Sequence, residues 1–251
     1  LKLDAQVLVT GSSSLELSSK INEPVTGRIF EYKLFPLSLS EMARHTSERE
    51  ENRLLEQRMI YGLYPEIVTN PSDNKRLLTS LANNYRYRDL LSYQGIKKHD
   101  VLHKLVRALA FQIGSEVSYN ELSNLLGIDK ETVESYINLL EKCFVVFRLS
   151  SFNRNMRNEI KKGKKIYFYD NGIRNALISN FAPLEMRQDA GALWENFMIS
   201  ERIKRNAYCN DYSQLFFWRT KQQQEIDLIE EKDGRLFAYE FKWNSKKKSK
   251  L

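Results

Sequence analysis

The segment that decides the fold covers residues 225–243 and reads Glu225-Ile-Asp-Leu-Ile-Glu-Glu-Lys-Asp-Gly-Arg-Leu-Phe-Ala-Tyr-Glu-Phe-Lys-Trp243. Both halves of the segment have strand character, and Asp233-Gly234 lies between them. An Asp-Gly pair in this setting is a strong signal for a tight hairpin turn. The segment therefore predicts two antiparallel strands, Glu225 to Glu230 and Arg235 to Trp243.

The predicted hairpin brings charged side chains together at its open end. Around this turn, residues whose numbers add to about 467 face each other, which places Asp227 opposite Glu240. The two-residue period of a strand puts Glu240 and Lys242 on one face. Upstream, Glu195 lies in a helical segment whose apolar side is expected to pack on this sheet, with the glutamate at its margin. The sequence thus predicts a cluster of three carboxylates and one lysine.

Other parts of the C-terminal half alternate between strand and helix patterns. The periodicities predict a strand over 165–170, an amphipathic helix over 191–204 and another strand over 215–218. Together with the hairpin, these elements predict an α/β domain from about residue 151.

Residues 101–149 have the pattern of a helix-turn-helix followed by a wing. A helix over 101–113 precedes a capping box at Ser118 and a short second helix that ends at Gly127. Asp129 is expected to cap a third helix, and residues 143–149 are strand-like. This order of elements predicts a winged helix-turn-helix.

The third helix of this motif carries charges of both signs. Its polar residues that could contact DNA are Lys130, Thr132, Ser135 and Asn138. Because Glu131 and Glu134 would face the phosphates of a bound duplex, we favour a structural or protein-facing use of this helix.

The N-terminal part reads as a short strand followed by helices. Residues 4–10 are typical of a buried strand, and residues 27–35 of a strand or extended segment. Ser38 or Ser40 is then expected to cap a helix that opens at Glu41. Helices are also predicted over two further ranges, 48–62 and 77–91.

Composition excludes several classes of protein. The two cysteines lie far apart, which excludes a disulfide scaffold and argues against a zinc site, and the three histidines suggest no catalytic triad. No apolar run is long enough to span a bilayer and no signal peptide is evident, so we expect a soluble, cytoplasmic chain that does not act at a membrane. The leading Leu1 and the lysine-rich end lead us to expect a fragment.

The net charge of +7 is compatible with a polyanionic partner such as nucleic acid. Basic residues are concentrated between Arg154 and Lys165 and between Lys246 and Lys250. A solvated loop and a ragged chain end are the simpler interpretation of these two clusters, and a nucleic-acid surface is the alternative.

An Asp, a Glu-x-Lys on the next strand and a preceding helical Glu resemble the active site of the PD-(D/E)xK, or restriction-endonuclease-like, nucleases. The resemblance implies that Asp227 and Glu240 ligate Mg²⁺, that Lys242 positions a water molecule, and that Glu195 is an auxiliary ligand or orienter. A cross-strand pair of Glu and Lys on an exposed edge strand is the alternative interpretation.

A wider resemblance covers nearly the whole chain. Residues 7–14, Thr26 to Arg28 and 32–41 resemble the closing part of a prokaryotic AAA-type ATPase domain. The remainder resembles the domain of unknown function that accompanies it, whose fold is a divergent restriction-endonuclease-like one. Its matching stretches are Tyr61 to Glu66, Tyr85 to Asp89, Lys165 to Asp170, Gly191 to Asn196, Trp218 to Thr220, Glu225 to Asp227 and Glu240 to Lys242. Within such a motif, Asp170 is expected to serve as a turn residue.

The ATPase resemblance implies nucleotide-linked roles for two positions. Ser12 or Ser13 matches a sensor position and Arg28 a candidate arginine finger; a helix cap and a surface salt bridge are the structural alternatives. No GxxxxGK[ST] motif is present, so ATP is expected to bind only in a longer protein that carries the phosphate-binding loop.

The sequence therefore predicts a mixed α+β or α/β chain with several parts. These are an ATPase remnant over 1–45, a helical connector over 46–100, a winged helix over 101–150 and a restriction-endonuclease-like α/β domain, interpreted as truncated, over 151–251. The leading hypothesis is a fragment of an ATP-dependent protein whose nuclease-like domain acts on or binds nucleic acid. An inert nuclease-fold scaffold for a protein partner and a winged-helix DNA-binding regulator are the alternatives.

Overall fold

The computed structural model of the chain describes residues 8–11, 30–82, 99–153, 163–220, 222 and 224–243. It is a mixed α/β structure in which helices surround one six-stranded sheet. The helices are α1 (Leu39–His45), α2 (Glu48–Arg53), α3 (Leu55–Tyr61), α4 (Pro65–Thr69), α5 (Asn74–Ser80), α6 (His99–Phe111), α7 (Tyr119–Leu126), α8 (Lys130–Lys142), α9 (Asn171–Leu177) and α10 (Ala190–Tyr208). The strands are β1 (Glu116–Val117), β2 (Val146–Ser151), β3 (Lys164–Phe168), β4 (Gln214–Arg219), β5 (Glu225–Lys232) and β6 (Arg235–Tyr239).

The sheet has the strand order β1-β3-β2-β4-β5-β6. Strands β2 and β4 run parallel, whereas the other neighbours are antiparallel. The sheet therefore takes strands from both sides of the domain boundary that the sequence predicts at residue 150.

The predicted hairpin is confirmed in its turn and its register. Asp233 and Gly234 both have positive φ, 50° and 73°, as the tightest hairpin turns require. Leu228 pairs with Tyr239, and Lys232 pairs with Arg235. Both pairs follow the predicted register, and the observed pairing ends at Leu228 and Tyr239.

The strand β6 ends at Tyr239, four residues earlier than the sequence predicts. The Asp227 side chain explains this difference, because its Oδ2 atom accepts a hydrogen bond of 2.7 Å from the Phe241 backbone N–H. The Phe241 N–H therefore donates to this carboxylate and not to a backbone carbonyl of the neighbouring strand.

A β-bulge interrupts the pairing of β4 with β5 at the level of the charged cluster. Phe216 pairs with Ile229 and Trp218 with Ile226, so Asp227 and Leu228 together face Phe217. Bulges reorient the side chains next to them and are common beside functional sites. This one changes the face to which the residues of β5 before Leu228 point.

Asp170, two residues after the end of β3, connects two helices. Its carboxylate accepts hydrogen bonds from the Ile173 N–H at 3.1 Å, capping α9, and from the Leu63 N–H at 2.8 Å. Space around it is tight, because a Cβ atom at Gly62 would lie 2.1 Å from its Oδ1. Asp170 therefore forms a buried link between two helices, a larger role than the predicted turn residue.

The N-terminal helices agree with the sequence in part. Ser38 caps α1 in a capping box with Glu41, as predicted. The helix predicted over 48–62 is divided into α2 and α3 at Leu54, and Gly62 ends it with φ of 74°. Residues 30–35 contain no strand, while most of 4–10 and of 77–91 lies outside the described residues. None of the helices in the described ranges combines the length and the apolarity needed to cross a bilayer.

Candidate functional site

Glu195 lies on α10 and faces strand β3. Its Oε1 atom accepts hydrogen bonds from the Tyr167 hydroxyl at 2.6 Å and from the Lys165 ammonium at 3.0 Å. The neighbouring Asn196 fixes this position, since its side-chain amide bonds both the N–H and the carbonyl of Phe168. These contacts attach α10 to β3, so Glu195 is held inward, deeper than the predicted margin of the helix.

Asp227 lies at the bulge of β5 and is almost completely buried. Burial raises the pKa of its carboxyl group, and the nearby Glu225 carboxylate adds to this increase. Its Oδ2 atom is bound to the Phe241 N–H. Within the described part of the chain, its Oδ1 atom has no hydrogen-bond donor, so this oxygen is available to a ligand.

Glu240 and Lys242 follow directly after β6 and form an ion pair with each other. The pair agrees with the prediction that their side chains share one face. The hydrogen bond to Glu240 raises the pKa of Lys242, and the charges of Asp227 and Glu195 act in the same direction. Lys242 is therefore a protonated donor that stands within electrostatic reach of all three predicted carboxylates.

Glu195 and Asp227 influence each other although no hydrogen bond joins them. Burial raises the pKa of Glu195; Lys165 opposes this effect, whereas the charge of Asp227 reinforces it. Two carboxylates that repel each other in a poorly solvated site favour the binding of a proton or a cation.

Three members of this cluster were missed by the sequence analysis, namely Lys165, Tyr167 and Glu225. Lys165 has 1% of its surface exposed and forms ion pairs with Glu195 and Glu225. Its assignment to a basic surface segment was wrong, because strand β3 carries the ammonium group into the interior. The available signal was a lysine two positions before a tyrosine in a strand, which places both side chains on one face.

The described residues offer a metal ion two suitable carboxylates and no complete cage. Within the described ranges, no three His, Cys, Asp or Glu side chains are gathered closely enough to hold a metal by themselves. Mg²⁺, however, is usually held by one or two carboxylates, with water and substrate phosphates as the other ligands. Asp227 and Glu240 have the oxygen chemistry that such an ion requires, and the charges of both act on Lys242.

The helix α8 uses part of its polar face inside the domain. Asn138 and Glu141 both bind the guanidinium group of Arg148 on β2, and Thr132 bonds its own cap residue Asp129. Of the four residues predicted for DNA contact, Lys130 and Ser135 remain exposed. These contacts favour the structural use that the sequence indicated for this helix.

The residues predicted to contact nucleotide, Ser12 and Arg28, lie outside the described part of the chain, as does Ser13. The same holds for most of the basic stretch that begins at Arg154 and for the C-terminal lysines. Their predicted roles therefore stay predictions.

Three family models match the chain. A domain of unknown function, DUF8612, matches residues 52–184, which is just over half of the chain. Another domain of unknown function, DUF4143, matches residues 190–251, and an AAA domain matches residues 2–43. The predicted association of an AAA domain with domains of unknown function is thus confirmed at the level of family models.

Curated relatives are uncharacterised proteins of bacteria and archaea. A protein of Haemophilus influenzae is 25% identical over 239 residues, which cover 91% of this chain and 57% of the relative. One of Mycobacterium tuberculosis is 26% identical over 246 residues, covering 97% and 53%, and one of Methanocaldococcus jannaschii is 24% identical over 241 residues, covering 89% and 52%. The chain thus spans just over half the length of these relatives. No solved structure matches it significantly.

Proposed function

The chain belongs to the DUF8612 family, and we propose that it is part of an ATP-dependent protein whose α/β domain is a Mg²⁺-dependent nuclease-like module acting on nucleic acid. One observation carries the proposal: Glu195, Asp227, Glu240 and Lys242, predicted from three separate stretches of sequence, belong to one electrostatically coupled cluster. Such a set of groups suits the hydrolysis of a phosphodiester, in which negative charge develops on the phosphate oxygens.

Asp227 and Glu240 are the residues that would hold the metal ion. Mg²⁺ bound there would offset charge on the scissile phosphate and lower the pKa of a bound water molecule. The Phe241 N–H fixes Oδ2 of Asp227 and thereby restricts the orientation of the carboxylate. The carboxylate is therefore oriented before any ligand arrives.

Lys242 would position the attacking water and a phosphate oxygen. Since its pKa is raised by Glu240, Lys242 acts as a hydrogen-bond donor with a fixed positive charge and does not accept the proton of the water. Its side chain is 41% exposed, so it can reach a substrate without rearrangement of the core. Glu195 acts as the orienter of the site through its contacts with β3.

Two features outside the cluster support a nucleic-acid substrate. Residues 99–168 follow the order helix, strand, helix, helix, strand, strand, with β1 paired to β3, which is the order of a winged helix. The positive net charge suits a polyanion. We infer that α8 does not read bases, since Asn138 binds Arg148 of β2 and Thr132 binds the cap residue Asp129 of its own helix.

A second candidate function is an inert nuclease-fold scaffold for a protein partner. The ion pair of Glu240 with Lys242 favours it, because each of these groups already satisfies the other. In a scaffold, the cluster would contribute only to the stability and the surface charge of the domain.

A cleavage assay distinguishes the two functions. The longer protein with its complete AAA domain is incubated with DNA and RNA in Mg²⁺ or Mn²⁺, and its Lys242→Ala variant is compared with Lys232→Ala. Lys232 is a suitable control, because it is also an exposed lysine with a carboxylate partner, Asp211, but lies at the opposite end of the hairpin.

The nuclease proposal expects cleavage that Lys242→Ala abolishes and Lys232→Ala retains. Neither change should alter stability by more than about 1 kcal/mol, because surface ion pairs contribute little. Cleavage that persists in Lys242→Ala, or no cleavage with either ion, would refute the assignment.

A further inference from the structure

Lys165 is the most deeply buried charged group of the cluster. It is 1% exposed, and its ammonium lies 5.5 Å from the ring centroid of Phe217, on the side of the sheet that α10 covers. An unpaired ammonium in such a position would be strongly destabilising. Two carboxylates, Glu195 and Glu225, compensate it directly.

The charge of Lys165 is retained. Burial opposes the protonated form, but Glu195 and Glu225 together raise the pKa of Lys165 above that of an ordinary lysine. The positive charge of Lys165 also acts to lower the pKa of Asp227, against the effect of burial. The ammonium thus stands among three acidic side chains at the inner end of the site.

One of the two carboxylate oxygens of Glu195 is saturated with hydrogen bonds. Its Oε1 atom accepts both the Lys165 ammonium and the Tyr167 hydroxyl, which leaves no lone pair there for a metal ion. Glu225 pairs with Lys165 as well, and Arg219 lies 3.9 Å from its other oxygen. The two inner glutamates are therefore neutralised by side chains of the protein.

We propose that the Lys165 ammonium takes the place of a second divalent ion. It pairs with Glu195 and Glu225, which would otherwise bind that ion, so the site takes a single metal ion. This inference rests on the proposed function, which places that ion at Asp227 and Glu240. Lys165 is then a positioning residue that acts through Glu195, and it determines the metal stoichiometry of the site.

Metal stoichiometry is measured by titrating this chain with Mn²⁺ and following the free ion by electron paramagnetic resonance. The variant Lys165→Met keeps the length of the side chain and removes its charge. Lys164→Met is the matched control, because the neighbouring lysine of β3 is half-buried and points to the other face of the sheet.

We expect one bound ion for the wild type and for Lys164→Met, and two for Lys165→Met. Two ions in the wild type, or a single ion in Lys165→Met, would overturn the inference and leave the proposed function intact. Absence of bound Mn²⁺ from the wild type would instead overturn the proposed function, and this inference with it.

A second variant covers the case in which Lys165→Met does not fold. Because Glu195 is an orienter in this arrangement, Glu195→Gln should still bind one ion, with an affinity loss of less than about tenfold, the lower end of what the loss of an outer-shell contact produces. A larger loss would identify Glu195 as a ligand and overturn the inference. Where Lys165→Met does fold, urea unfolding of metal-free Lys165→Met, Glu195→Gln and the double variant provides a check without metal. The double variant should lose less stability than the two single variants together, and additive losses would overturn the coupling of Lys165 with Glu195.

Discussion

Replacement of Glu230 by glutamine should remove a pH-dependent part of the stability. Glu230 lies on β5, is 2% exposed, and accepts hydrogen bonds from Asn206 and Ser213 and an ion pair from Arg202. Arg202 and Asn206 belong to α10, the helix that carries Glu195. These contacts therefore join α10, which carries Glu195, to β5, which carries Asp227.

The size of the effect follows from the ionisation of Glu230. Burial opposes the charged form, but the bonds from Arg202, Ser213 and Asn206 prevail and lower the pKa to about 2, from an ordinary value of 4.5. A difference of about 2.5 units corresponds to about 3 kcal/mol at pH 7. Since the folded state holds the proton less tightly, this stabilisation is complete above about pH 5.5 and is lost as the pH falls through 4.5 toward 2.

The assay is urea unfolding of the wild type and of Glu230→Gln at several pH values. The stability difference should be about 3 kcal/mol at pH 7, fall by about 1 kcal/mol at pH 4 and by about 2 kcal/mol at pH 3. Glu231→Gln, at the next position of β5 on the other face, is the control and should change stability by less than about 0.5 kcal/mol. A difference for Glu230→Gln that is constant between pH 3 and 7, or below about 0.5 kcal/mol throughout, would refute the reasoning.

Three further predictions concern the buried contacts of Asp170 and Gly172 and the binding of ATP. Asp170→Ala removes the cap of α9 and leaves the Leu63 N–H unpaired, so urea unfolding should show a loss of about 2 to 4 kcal/mol, and a loss below about 1 kcal/mol would contradict the buried link. Gly172→Ala would place Cβ 2.1 Å from the Tyr61 carbonyl oxygen and should lower the melting temperature, whereas Gly191→Ala, which meets no neighbour, should not; equal melting temperatures would contradict this packing. Calorimetry on this chain should detect no saturable ATP binding at micromolar concentrations, because the sequence lacks a P-loop; saturable binding would show that the N-terminal segment was misinterpreted.

Elements determined by local chemistry could be predicted from the sequence. The Asp233-Gly234 turn needs only two residues that tolerate positive φ, and it sets the register of the hairpin as far as the pair of Leu228 with Tyr239. The caps at Ser38 and Asp129 likewise depend on a side chain and a backbone N–H three residues away. Local signals of this kind need no knowledge of the tertiary structure.

Elements that depend on distant partners could not be predicted. The ammonium of Lys165 pairs with Glu195, 30 positions away in the sequence, and with Glu225 on another strand. The strand period shows only that Lys165 and Tyr167 share a face, and it does not identify these two distant carboxylates. The early end of β6 depends on a side chain fourteen residues away, and the bulge in β5 depends on how β4 aligns with it. Such features arise from tertiary packing, which overrides the two-residue period of the strands.

An anomalous diffraction map from crystals of this chain soaked in Mn²⁺ is the decisive measurement for the nuclease proposal. It reports the position of the ion directly and does not depend on knowledge of the substrate. The proposal predicts one peak within about 2.5 Å of carboxylate oxygens of both Asp227 and Glu240, with the contact of Glu195 to Lys165 unchanged. No peak at these carboxylates, with the ion pair of Glu240 and Lys242 intact, would contradict a metal-dependent nuclease and favour the scaffold.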